Sequence, residues 1–348
     1  MKSFLSMLVL FATAIAGGAE PKHGTVVTEH LSSTVLRDNR VGLDPDRIVK
    51  VYLPPGYADS GKAYPVVYFC HSLNWSPVKM FADGNFVGLL ERGFANRVVP
   101  EFILVAADYS TAGLGSLYEN SPTSGRWRDF TTDELVPFID GKFRTIRHRD
   151  SRGLAGDFMG GRGALELAMR HADLFGSVYA LHPVATGTGM LPMTYLDIDW
   201  AKMHAATTPA ELAGAGRSQI FLLISQAFLP NPDRPPFYCD FPVEWVNGSA
   251  RLNPELNRRL QQGFLLEESL DEYAANLRSL RGIAFDWGRY DQTTAHIFAN
   301  QVFSRKLTDL GVEHEAEEYV GSPWDKTWTP HGRFYARLLP FFAQHLVF

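Results

Sequence analysis

The sequence predicts an α/β fold, a doubly wound and mostly parallel sheet with helices on both faces, and three observations carry that prediction. Short apolar runs rich in Val, Ile and Phe recur along the chain, stretches of helical pattern separate them, and one run passes through a glycine-rich bend directly into a helix. Continuous apolar strands are those buried on both faces. Strand and helix in alternation are the order that right-handed crossovers turn into a parallel sheet. With 348 residues, 45% hydrophobic and 13% aromatic, the chain has material for a large core, which excludes a disordered or collagen-like polymer.

The first strand is expected at Asp46 to Leu53, where apolar and polar residues alternate until Pro54-Pro55-Gly56 stops them. Further strands are expected at Tyr64 to Cys70, Phe102 to Ala107, Arg152 to Gly156, Ser177 to Leu181 and Gly282 to Trp287. Helical patterns lie between them at Phe86 to Phe94, Thr132 to Phe143, Gly161 to His171 and Ala295 to Leu310, the last closed by Gly311. In such sheets a site forms at the carboxyl ends of the strands, so the loops after Cys70, Ala107, Gly156, Leu181 and Trp287 should converge. Residues 183–268 break the rhythm with Pro230, Pro232, Pro235 and Pro236 and scattered aromatics. They read as a cap inserted over the sheet's upper edge, or as a surface excursion without a ligand role.

Charge and cysteine content narrow the function classes. Lys and Arg number 33 against 38 Asp and Glu, a net charge of −5 with mixed signs, so no nucleic-acid footprint is present. Cys70 and Cys239 could form one bridge at most and lack metal-ligand spacing. No cofactor or metal is implied. Residues 1–19 carry Lys2, an apolar run from Phe4 to Ile15 and small residues at Ala14, Ala16 and Ala19, the pattern of an export signal or a retained surface anchor. The run is too short to span a bilayer. The expectation is a secreted or periplasmic protein whose domain is residues 20–348, with Asn247-Gly248-Ser249 a possible glycan site in a eukaryotic host.

The most informative stretch is Arg152 to Leu165, RGLAGDFMGGRGAL. Gly156 and Gly160 flank a sharp strand-to-helix bend with Phe158 at its apex, the layout of a nucleophile elbow. The chain resembles the putative-esterase family of α/β-hydrolases, which includes S-formylglutathione hydrolase, feruloyl esterases and mycolyltransferases. The likeness runs through Asn120 to Gly125, Glu134 to Asp140, Arg144-Thr145 and the closing Leu339-Pro340-Phe341-Phe342.

The resemblance implies carboxylic-ester hydrolysis or acyl transfer on a small ester or acyl ligand by a Ser-His-Asp triad. At the apex, however, Phe158 stands where the family has Ser, and a phenyl ring cannot form an acyl intermediate. Asp157, one residue early, is a remote carboxylate alternative. By chain order Asp291 fits the acid position, with Asp286 second. Pro323 stands at or beside the position of the family's His, leaving His331 as the candidate base or merely a solvent-facing start of the last helix. The oxyanion amides would be those of Met159 and Leu73. His71 and His182 read as buried, hydrogen-bonded residues near the site, Trp127 as a packing anchor, and Arg126, Arg128 and Asp129 as a helix start close to the cleft. The expected function is that of an esterase-family protein of impaired chemistry that binds a ligand or partner, or alternatively that of an active esterase.

Overall fold

A computed structural model describes residues 23–82, 84–111 and 114–348; the expected leader at residues 1–19 lies outside the described residues. Eight strands form the central sheet: β1 (Thr25–Ser32), β2 (Asp46–Leu53), β3 (Val66–Cys70), β4 (Ile103–Ala107), β5 (Arg152–Asp157), β6 (Ser177–Leu181), β7 (Gly282–Gly288) and β8 (Glu315–Tyr319). Their spatial order is β1-β2-β4-β3-β5-β6-β7-β8. β2 is antiparallel to β1 and to β4, and the other neighbours are parallel.

The side-chain period of two builds a core on each face of this sheet. From β3, Val66, Tyr68 and Cys70 join Trp127, Phe130, Ile139 and Leu167 on one side. Val67 and Phe69 join Phe86, Leu90, Phe334 and Phe342 on the other. Both faces of β3, β4, β5 and β6 are buried throughout, which is why these strands read as unbroken apolar runs. The edge strands differ. β1 buries no residue fully, and β8 is EAEEY, whose Glu317 and Glu318 meet arginines rather than the core. Neither has a sequence pattern that separates it from a loop, and neither was expected.

Residues 183–268 leave the sheet and gather around a third cluster that includes Met159, Phe221, Leu229, Cys239, Leu260 and Phe264. The segment holds helices Arg217–Phe228 and Pro254–Phe264 and a hairpin, Val243–Val246 with Ser249–Leu252. Asn247 and Gly248 turn that hairpin with φ of 49° and 77°, the mirror-image turn whose twist suits antiparallel strands. Arg162 pins the segment to the sheet's helix layer. Its fully buried guanidinium donates to the carbonyls of Phe264, Gly263 and Leu117, the first two at the C-terminal end of a helix, where a cation is favoured. Cys70 and Cys239 are both buried and free, one in the sheet core and one in this third cluster. No helix among the described residues is long and apolar enough to cross a membrane.

Candidate active site

The strand register assembles the site. Cys70 pairs with Gly156, Asp157 with Leu181, and Leu181 with Asp286. His71, Phe158 and His182 therefore leave the sheet along one edge, which β7 reaches at Gly288. At that edge β5 turns straight into helix Met159–Arg170 through Phe158, whose φ of 48° and ψ of −115° lie where a side chain is strained. Packing enforces the bend. A Cβ on Gly160 would stand 2.0 Å from the Cys70 carbonyl oxygen, and one on Gly156 would stand 2.3 Å from the Gly160 carbonyl oxygen. Only glycines let helix and strand approach so closely.

Phe158 is half-buried, and its ring packs against three others. Trp324 stacks on it at 4.9 Å between centroids, His182 lies at 5.0 Å and His296 at 6.4 Å. Trp324 itself is 77% exposed and covers the bend from the solvent side.

Asp291, in the loop after β7, is the hub of the polar half. Its Oδ2 accepts from His182 Nε2 at 2.6 Å and from His296 Nδ1 at 2.7 Å, and its Oδ1 accepts from the Thr293 N–H at 2.8 Å. The Gly288 N–H donates to His182 Nδ1 at 3.0 Å, so the proton of a neutral His182 sits on Nε2 and points at Asp291. Burial holds His182 below its ordinary value, against the pull of Asp291. Burial alone would raise Asp291, but the hydrogen bonds from His182, His296 and Thr293 outweigh it and leave the carboxylate well below its usual range.

The imidazoles beside Asp291 are not the one expected from chain order. Asp291 takes its two imidazoles from His182 and His296, while His331 is exposed beyond the short helix Pro323–Lys326. Pro323 is buried against Gly288, so this loop is folded inward without presenting a histidine. Asp286 is committed elsewhere. It is 1% exposed and accepts from the Tyr179 hydroxyl at 2.7 Å and from Arg333 Nε at 2.9 Å. His296, which is not among the sequence candidates, stands in the first turn of helix Thr294–Asp309, five residues after Asp291.

The remaining candidates fall into place around this edge. His71 is buried, accepts from the Tyr109 N–H through Nε2 and donates from Nδ1 to the Ser72 carbonyl. Met159 is buried at the helix start, and Leu73 is half-buried against the third cluster. Trp127 is buried with its indole N–H on the Ser124 carbonyl, and Arg126 pairs with Asp129 at the surface. Asp157 is buried away from the apex; burial pushes it up to about 7, with its own and the Ser72 N–H drawing it back. A cavity of about 540 Å³ lies beneath residues 208–238, bounded by Leu117, Trp127, Leu222 and Gln226. Gly115 in its wall lies against Leu73, since a Cβ there would stand 3.2 Å from the leucine side chain.

His182, Asp291 and His296 bring three ligand atoms within 4.8 Å of one another. His182 is poorly suited to a metal at Nε2. That atom would have to lose its proton to Nδ1, which would then face the Gly288 N–H donor to donor.

An eight-stranded mostly parallel sheet with a strained elbow after β5, an acid after β7 and histidines around them defines an α/β-hydrolase. The family model described as "Putative esterase" matches residues 41–331, and the chain belongs to that family. An esterase of Mycobacterium tuberculosis is 26% identical over 288 residues, 82% of this chain and 54% of the relative, so the chain spans about half the length of that relative. Among solved structures, a ferulic acid esterase superposes with a TM-score of 0.63 at 22% identity, covering 92% of this chain and 98% of the other. A ferulic acid esterase from Anaeromyces mucronatus in complex with ferulic acid gives 0.56 at 18% identity, covering 95% and 94%. These superpositions show the shared fold.

Proposed function

We propose that this esterase-family hydrolase fold has lost most or all of its ester chemistry and serves to bind a small ester or acyl ligand, or a partner, through its cleft. Phe158 carries the reading. It occupies the strained apex at which relatives, by resemblance, carry the attacking serine, and a hydrocarbon ring has neither the lone pair nor the proton that acyl transfer needs. Loss of the nucleophile from a triad costs roughly 10⁴ or more in rate, leaving only what oxyanion donors and binding supply. The cavity of about 540 Å³, whose wall residue Gly115 lies against Leu73, supports a space able to hold a ligand. The apolar run from Phe4 to Ile15 supports export from the cytoplasm as part of the same proposal.

A second reading rests on one observation. An ionised Asp291 can only accept, so His296 donates from Nδ1, the orientation a general base adopts in a triad. An active hydrolase would then use His296 to activate water directly.

Turnover of short-chain p-nitrophenyl esters decides between them. The binding reading expects rates at the buffer background that His296→Ala leaves unchanged. Robust turnover that His296→Ala abolishes supports the second reading and overturns the first.

A further inference from the structure

A second recess opens beside the elbow, and Phe158 is not among its walls. Phe69, Phe86 and Trp328 pack into a triangle with centroids 5.6 to 5.9 Å apart, and Trp75, 39% exposed, stands at the rim. The space they leave is small, about 30 Å³. Asp157 reaches the same recess and is 8% exposed.

The walls hold a carboxyl group and no lysine or arginine. His71, the other titratable group there, does not supply the missing charge. Burial holds it below its ordinary value, and both its ring nitrogens are used, one by the Tyr109 N–H and one by the Ser72 carbonyl.

Such a set selects its ligand by exclusion. An anion meets the Asp157 charge, and a purely apolar group removes water from that carboxyl and leaves it only its own and the Ser72 N–H. A small organic cation satisfies the carboxylate by charge and the ring walls through their negative faces. We propose that this recess binds an alkylammonium head group, with Asp157 as its counter-charge and Trp75, Phe86 and Trp328 as its aromatic walls. The upward displacement of the Asp157 carboxyl to about 7 agrees, because its two backbone N–H donors only partly offset burial and an ammonium ion would supply the rest. The inference concerns walls outside the Phe158 site, so ester-turnover results do not bear on it.

The test is a calorimetric titration of the full chain with methylammonium and tetramethylammonium chloride at constant ionic strength. Tert-butanol serves as the uncharged comparison. A saturable isotherm is expected for at least one cation, at least tenfold weaker in Asp157→Asn, several-fold weaker in Trp75→Ala and absent for tert-butanol. Trp75 sits at the exposed rim, so its variant remains a test if Asp157→Asn does not fold. No saturable binding in the wild type, equal binding of tert-butanol, or unchanged affinity in either folded variant would overturn the proposal.

Discussion

The rings of Phe158 and Trp324 lie 4.9 Å apart with their planes at 25°. One residue sits at the apex of the elbow and the other belongs to the loop after β8, where the family's base is expected by resemblance. An aromatic contact therefore joins the elbow to the segment after β8. Offset rings of this kind contribute about 0.5–1.5 kcal/mol beyond the area they bury.

The backbone at Phe158 makes a first prediction. A φ of 48° strains any residue with a Cβ by about 1–3 kcal/mol, and glycine escapes that cost. Phe158→Ala and Phe158→Gly both lose the ring contacts. In urea titrations Phe158→Gly is expected to be more stable than Phe158→Ala by about 1 kcal/mol, the reverse of the usual order for ordered positions.

Close packing at the bend makes a second. Gly160→Ala drives a methyl group into the Cys70 carbonyl and is expected to cost at least ~3 kcal/mol or prevent soluble expression. Gly141→Ala, in helix Val136–Lys142 with nothing within 4 Å of the added carbon, is expected to be neutral or stabilising by up to about 1 kcal/mol. Midpoints of thermal unfolding compare the two.

Arg162 supplies a third. Replacing it with methionine leaves the carbonyls of Leu117, Gly263 and Phe264 without the donor they share. Hydrogen bonds to a charged group are worth about 1.5–3 kcal/mol each before relaxation. The expected outcome is destabilisation of about 3–5 kcal/mol and faster tryptic cleavage within residues 183–268 under native conditions.

Opposed pH dependences give a fourth. His182 is held neutral by burial, below an unfolded value of ~6.5. Its contribution is present above that pH and is lost as pH falls. Asp291, held below its unfolded value of ~3.9, contributes stability that is lost only at still lower pH. Asp157 has the other sign. Its folded value of about 7 exceeds ~3.9, so its contribution is full below pH ~4 and is lost as pH rises toward 7. Three units correspond to roughly 4 kcal/mol at most. Denaturation midpoints measured from pH 4 to 7 should therefore rise for Asp157→Asn relative to the wild type.

The parts of this structure that were legible in the sequence are those where backbone geometry restricts residue type. β2 has its expected limits because its one buried face leaves an alternating pattern; β6 has them too, and β3, β4, β5 and β7 differ by one or two residues, because strands buried on both faces leave unbroken apolar runs. The elbow was legible because Gly156 and Gly160 cannot carry side chains there. β1 and β8 were not, since an edge strand that buries little imposes no pattern. The Asn247-Gly248 pair is a local turn signal for the hairpin it closes. His296 could not be ranked above His331 from chain order alone. Its place beside Asp291 depends on how the loop after β7 returns over His182, a tertiary relationship with no local signature.

The side chain at the bend, Phe158, has no group able to attack an ester. Intact-mass analysis after incubation with a fluorophosphonate probe tests it most directly, with Phe158→Ser examined in parallel. The wild-type chain is expected to keep its mass, and the variant, whose new hydroxyl stands beside His182 and His296, to gain one adduct at residue 158. Stoichiometric labelling of the wild type at any residue would contradict the account.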